Sequence, residues 1–127
     1  MITVIILFCI AGFLDAVMDV LKTRWSVSIF SNIKNKKILN WIDPTSWENK
    51  WKNNDENQGE KFLGSSTIFV FLMDLWHFCK FLMLFLLCFG IVFYKQYLNP
   101  YLDIFILYSV FTLTFQLFYE LILIKKK

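Results

Sequence analysis

Three long apolar stretches separated by polar segments dominate the pattern of this chain. They cover residues 2–21, 67–94 and 101–124. Each has at least the roughly 20 residues that a helix needs to cross about 30 Å of hydrocarbon. The pattern predicts an all-α, polytopic membrane protein in which residues 1–127 form a single membrane domain with three transmembrane helices. We interpret the first stretch as a retained helix, because no small-residue cleavage site of a signal peptide follows it.

The second and third stretches are predicted to form an antiparallel helical hairpin. Gly64, Ser65 and Ser66 precede the second stretch, and serine hydroxyls are well suited to cap the start of a helix. The connector, residues 95–100, ends in Pro100, which fits the first turn of a helix because no N–H is needed there. We therefore expect helices to begin near residues 67 and 100.

The segment between the first two stretches, residues 22–66, is too polar to span a membrane and too aromatic for a plain linker. Asp43 and Pro44 predict the start of a short amphipathic helix on which Trp47 and Trp51 share one face. Two interpretations remain open: this helix rests on the membrane surface, or its tryptophans pack on the helix ends. The tryptophans of the segment are Trp25, Trp41, Trp47 and Trp51.

Basic residues are distributed unevenly over the polar segments. They are concentrated in residues 22–66 and in the tail 125–127, whereas Lys95 is the one basic residue of the second connector. Because cytoplasmic segments carry the excess of Lys and Arg, we expect the N-terminus outside and the C-terminus in the cytoplasm. Asp103, near the outer boundary, is expected to meet water or Lys95.

Composition limits the kinds of partner. Hydrophobic residues make up 57% of the chain, more than a soluble domain of 127 residues needs to fill its core. The net charge of +3 is small, and the basic residues flank apolar stretches. This arrangement fits contact with the anionic headgroups of a lipid bilayer, and we predict no nucleic-acid partner.

The usual catalytic and redox motifs do not occur in the sequence. The cysteines Cys9, Cys79 and Cys88 all lie in apolar stretches, where a free Cys behaves as a small hydrophobe. There is no Gly-rich phosphate loop, no nucleophile elbow and no HExxH zinc motif. The sequence therefore names no catalytic residue and leaves enzymatic activity undecided.

Ionisable and polar side chains lie inside the apolar stretches, where charge is expensive and usually functional. Counting 1.5 Å per residue from the cytoplasmic ends places six of these groups, all except Lys80, about 8–17 Å deep. Neighbours spaced i,i+3 or i,i+4 share a helical face, so we expect three polar faces that converge at one depth. The small pair Ala11-Gly12 would let another helix approach closely. The predicted cluster consists of Asp15, Asp19, Asp74, His77, Lys80, Gln116 and Glu120.

Three uses of such a cluster are open. Its carboxylates and imidazole could ligate a divalent metal such as zinc or manganese. The same groups could hold a proton. Alternatively, they only lock the helices together, in a structural or accessory subunit of a homo-oligomer or a larger membrane complex. The predicted metal ligands are Asp15, Asp19, Asp74 and His77.

Three segments carry a resemblance to a known group of proteins. They read S-W-E-N-K-W at residues 46–51, G-S-S-T at 64–67 and D-L-W-H at 74–77. The chain resembles small bacterial membrane proteins that share an S-W-x-N-K-[WY] and a D-x-W-H segment and have no assigned activity. The resemblance implies a location in the bacterial inner membrane, and it implies that Asn49 and Lys50 belong with the polar cluster, as a lid over its cytoplasmic mouth. In the hypothesis of a membrane-embedded site, these two residues contact an anionic lipid headgroup. The first segment is more acidic here than in that pattern.

Overall fold

Helices account for the architecture of this computed structural model, which describes residues 1–125. Three of them are long and apolar enough to cross a membrane, and no strand occurs in the described range. The prediction of an all-α chain with three such helices is therefore confirmed. The helices are α1 (Ile2–Thr23), α2 (Lys36–Ile42), α3 (Leu75–Phe93) and α4 (Pro100–Gln116), which continues as a π-helix over Leu117–Ile122.

Helix α1 forms the centre of the bundle. Half of its span is buried, whereas α3 and α4 each bury 11% of theirs. α1 runs antiparallel to α3, with Phe8 near Gly90 and Lys22 over Trp76, and parallel to α4. The predicted hairpin is therefore antiparallel, but α3 and α4 contact each other little because α1 lies between them.

Close packing joins α1 to α4. A Cβ atom added at Gly12 would overlap the carbonyl oxygen of Phe111, so the absence of a side chain lets the two backbones approach. Ala11 is fully buried beside it. The predicted role of this small pair in helix approach is confirmed.

Helix α3 begins at Leu75 and not near residue 67 as predicted. Asp74 has extended backbone angles, and its carboxylate accepts the N–H of His77 at 2.9 Å, which makes Asp74 the N-cap. Ser65 and Ser66 do not cap, because their hydroxyls donate to the Lys50 carbonyl and to the Glu60 carboxylate. Residues 67–73 form turns and the short 3-10 helix Val70–Leu72 instead.

The later start of α3 changes the predicted depth of its polar residues. The 19 residues of α3 extend about 28 Å, which already matches the thickness of a hydrocarbon core. Asp74 and His77 therefore lie at the edge of this span and not a further 12 Å or so inside it. We call the end where α1 and α4 finish and α3 begins the polar end.

Residues 24–66 cover the polar end with short turns around α2. Asn35 caps α2 by accepting the N–H groups of Lys37 and Ile38. Asp43 supports the following turn by accepting both the N–H and the hydroxyl of Thr45. The prediction of a helix on which Trp47 and Trp51 share one face is wrong, because the 3-10 helix Ser46–Lys50 ends before Trp51, whose backbone is extended. The 3-10 helices of the chain are Trp25–Val27, Ile29–Asn32, Ser46–Lys50, Lys52–Asn54, Glu56–Gln58 and Val70–Leu72.

The loop before α3 is organised by Glu60. Its carboxylate accepts the N–H of Gly64 at 2.9 Å and both the hydroxyl and the N–H of Ser66. These hydrogen bonds, that from the Ser66 hydroxyl first, lower the pKa of Glu60 below its ordinary value of 4.5. The loop is thus held in place by a single ionised side chain.

A buried carboxylate organises the connector at the opposite end of the bundle. Asp103 accepts the Tyr94 hydroxyl at 2.8 Å and the N–H groups of Tyr97 and Leu98 at 2.8 and 3.2 Å. The hydrogen bond to Asp103 raises the pKa of Tyr94. Asp103 is fully buried, so the expectation that it meets water or Lys95 is wrong.

Candidate functional site

An open cavity of about 290 Å³ lies at the polar end, where residues 42–50 cover the end of α1 and the start of α3. We call it the interfacial pocket. Three segments that are far apart in sequence supply its polar walls. The polar and aromatic residues on which its chemistry depends are Lys22, Ser46, Lys50, Asp74, Trp76 and His77.

The Asp74–His77 pair forms one wall of the interfacial pocket. Asp74 is fully buried, and its Oδ2 lies 2.6 Å from Nδ1 of His77, whose side chain is 22% exposed. A carboxylate on Nδ1 favours the tautomer with its proton there, so Nε2 is the nitrogen that can accept a further hydrogen bond. Within residues 1–125, the structure records no partner for Nε2.

Two lysines line the interfacial pocket without pairing to an acid. The Nζ atom of Lys50 lies 5.5 Å from the ring centroid of Trp47 and 5.2 Å from that of Trp51. That of Lys22 lies 6.0 Å from the Trp76 ring. Such cation–π contacts hold an ammonium group in place without neutralising it. Neither lysine forms an ion pair with an acid in the described chain, although the carboxylates of Asp43 and Asp74 line the same pocket.

Asn49 positions the wall that carries Lys50. Its side chain is buried, and its Nδ2 donates to the carbonyl of Asn40 at 2.5 Å and to that of Met73 at 3.3 Å. These bonds tie the 46–50 turn to the residue that precedes Asp74. Lys50 lines the pocket, which is the position expected of a headgroup contact. Asn49 does not line the pocket, and instead holds the 46–50 turn by its hydrogen bonds to two backbone carbonyls.

Among the seven residues of the predicted cluster, the structure records a direct side-chain contact only between Asp74 and His77. Asp15 is half-buried, while Asp19, Lys80, Gln116 and Glu120 are exposed. Lys80 lies 5.1 Å from the Trp76 ring and does not offset an acid. The reason is geometric: α1 separates α3 from α4, and the late start of α3 places Asp74 and His77 under the 42–50 segment.

The structure gives no support to the predicted metal site. In the part of the chain that is described, no three His, Cys, Asp or Glu side chains lie close enough to hold a metal ion. Among the four predicted ligands, a direct contact is recorded only between Asp74 and His77. Two ligands from one helical turn fall short of the three or four protein ligands of a zinc centre.

Three residues of the interfacial pocket, and one hydrogen bond that joins two helices, were not predicted from the sequence. From the sequence, Lys22 was considered only as one of the basic residues of the polar segment, and Trp76 only as part of a motif. Ser46 had no role of its own. At the same end, Nε of Arg24 donates to the Tyr119 hydroxyl at 3.1 Å, which joins α1 to the π-helix after α4. No spacing rule could have found these contacts, since each joins residues from distant segments.

Comparison with known proteins adds no relative. No protein-family model, curated protein or solved structure matches this chain. The chemistry of its own side chains is therefore the basis for assigning a function.

Proposed function

We propose that this protein is an integral membrane protein that binds an anionic lipid headgroup in the interfacial pocket, on the cytoplasmic side of a bacterial inner membrane. One observation carries the proposal: Lys22 and Lys50, from separate segments, line one cavity, and neither forms an ion pair with an acid in residues 1–125. A phosphate oxygen is the natural partner of such groups, because charge-assisted hydrogen bonds are about twice as strong as neutral ones.

The level of the pocket in the membrane supports this ligand. The pocket borders the start of α3, where the hydrocarbon span begins, and tryptophan rings surround it. Tryptophan prefers the headgroup level, and the cytoplasmic leaflet of a membrane is anionic. Residues 22–66 and the tail carry most of the basic side chains, which favours an outside N-terminus and a cytoplasmic C-terminus.

The acids of the pocket are already engaged in hydrogen bonds. Asp74 is engaged by His77, and Asp43 is occupied by the N–H and the hydroxyl of Thr45 at 2.8 and 2.7 Å. Ser46 offers a hydroxyl on the same wall, and a neutral hydroxyl can donate to a phosphate oxygen. The cavity thus combines two lysines that form no ion pair in residues 1–125 with a neutral donor, and both of its carboxylates already accept hydrogen bonds.

Lipid binding tests the proposal. The purified chain would be compared with a Lys22→Gln/Lys50→Gln variant in nanodiscs of phosphatidylcholine containing a small fraction of phosphatidylglycerol. We expect the double variant to lose about tenfold to thirtyfold in apparent affinity for phosphatidylglycerol, because a lysine near an anionic surface contributes about 1 kcal/mol. Native mass spectrometry of retained lipid provides the measurement.

The matched control for lipid binding is Lys52→Gln/Lys95→Gln, which removes the same charge from two exposed lysines outside the pocket. We expect this control to retain most of its phosphatidylglycerol. An equal loss in both double variants would mean that only net charge matters, and no loss in either would exclude the pocket as the binding site.

A second candidate function is a structural or accessory subunit. The observation that favours it is the low burial of α3 and α4, together with a row of exposed phenylalanines in ring contact along α3. A homo-oligomer or a larger membrane complex would cover these faces. We expect such a subunit to be oligomeric, or bound to another protein, in native mass spectra from mild detergent. A bare monomer would contradict this candidate. The phenylalanines of the row are Phe81, Phe85, Phe89 and Phe93.

A further inference from the structure

A second concavity, of about 490 Å³, lies beside α2 on the far side of Ile42 from the interfacial pocket. We call it the α2 groove. Its walls are apolar, and Lys37 supplies the charged side chain of its lining. The apolar lining consists of Phe30, Ile33, Ile38, Trp41, Ile42 and Leu75.

We infer that the α2 groove binds the acyl chain of an anionic phospholipid, with Lys37 contacting the phosphate. This site goes beyond the headgroup site proposed above and does not depend on it, since the two cavities share only Ile42 among their lining residues.

The level of the groove favours an acyl chain. Leu75, the first residue of α3, lines the groove, and the Trp41 ring packs against Phe78 of α3 with centroids 5.7 Å apart. The groove therefore opens where hydrocarbon begins. Ile38 is 45% exposed there. Exposing apolar surface to water costs about 25 cal/mol of free energy per Å², whereas contact with an acyl chain does not carry this cost.

Charge complementarity favours an anionic headgroup on that chain. Lys37 lies in the first turn of α2, where the Asn35 cap accepts its N–H at 3.0 Å and so fixes the backbone of this turn. Lys34 and Lys36 are exposed beside it. No ion pair between these lysines and an acid is recorded in residues 1–125. A basic rim over an apolar groove matches the two parts of an anionic phospholipid.

Photo-crosslinking tests the inference. The full chain would be reconstituted with phosphatidylglycerol that carries a diazirine on one acyl chain, and labelled peptides would be identified by mass spectrometry. We expect strong labelling of residues 30–42, reduced by unlabelled phosphatidylglycerol and not by phosphatidylcholine. Lys37→Gln should lower this labelling about fivefold, as the loss of one lysine near an anionic surface predicts.

A second variant separates chain binding from charge. Ile38→Ser should weaken labelling of the groove, whereas Ile29→Ser, at a similarly exposed isoleucine outside the lining, should not. Lys22→Gln/Lys50→Gln should leave groove labelling unchanged, so that failure of the headgroup proposal and failure of this one are distinguishable. Labelling that is equal with a phosphatidylcholine probe, or insensitive to both Lys37→Gln and Ile38→Ser, would overturn the inference. The inference would also be overturned if a second copy of the chain shielded the groove residues from the probe.

Discussion

Replacing Gly12 with alanine is expected to lower the free energy of unfolding by about 2–3 kcal/mol, because the added methyl group overpacks the α1–α4 contact. Its Cβ would overlap the carbonyl oxygen of Phe111 and lie 3.3 Å from the backbone nitrogen of Phe115. Both neighbours are backbone atoms of a helix, so neither can rotate away. Relief requires that α4 move as a whole, and unfolding by denaturing detergent in mixed micelles measures the loss.

The matched control is Gly90→Ala, on the other interface of α1. A Cβ atom there would meet ring atoms of Phe8 at 3.3 and 3.8 Å, and a ring at the end of a side chain can shift. Both substitutions gain the same helix propensity, about 1 kcal/mol in a helix interior, so their difference isolates the packing. Equal stabilities of the two variants would show that α1 and α4 are not in tight contact.

Replacing Asp103 with alanine is expected to lower the free energy of unfolding by about 3 kcal/mol, since a hydrogen bond to a charged group contributes about 1.5–3 kcal/mol. The carboxylate accepts three hydrogen bonds from the α3–α4 connector. Without it, the N–H groups of Tyr97 and Leu98 lose their recorded acceptor. Hydrogen exchange at these two amides, together with unfolding, measures the effect.

Two controls bracket the Asp103 result. Tyr94→Phe removes one of the three hydrogen bonds and should have a smaller effect. Glu120→Ala removes an exposed carboxylate from the opposite end of the same helical span, and exposed substitutions usually change stability by about 0.5 kcal/mol or less. If Glu120→Ala lowered the free energy of unfolding as much as Asp103→Ala, the effect would come from the loss of a negative charge and not from the hydrogen bonds of Asp103.

Local signals in the sequence were sufficient for several features. Pro100 begins α4, Asp43 supports its turn, and Gly12 marks a close helix approach. Each of these depends on a backbone property or on hydrogen bonds within a few residues, so neighbouring residues suffice to predict it. The exception is the start of α3. There Ser66 was an equally good cap by sequence, but Glu60 occupies its hydroxyl in the fold.

The candidate site was only partly predictable. Lys50, Asp74 and His77 were singled out by residue type and motif, and they do line one cavity. Their companions Lys22 and Ser46 were not, because the depth of each polar group was counted along separate helices. Counting residues along a helix predicts the depth of a side chain in the membrane, but not the direction in which it points. An error in the predicted start of a helix also shifts the depth of every later residue of that helix, by about 1.5 Å for each position of the error.

The sequence alone determined that this chain has three helices able to cross a membrane. That property follows from the apolar surface of each segment, which adds up residue by residue along the helix. Only the tertiary structure decided that α1 is the central helix, that Asp74 pairs with His77 and not with the acids of the other helices, and that Lys22 and Lys50 line one pocket. Those outcomes depend on contacts between distant residues, since helix packing sets which faces meet and hydropathy does not.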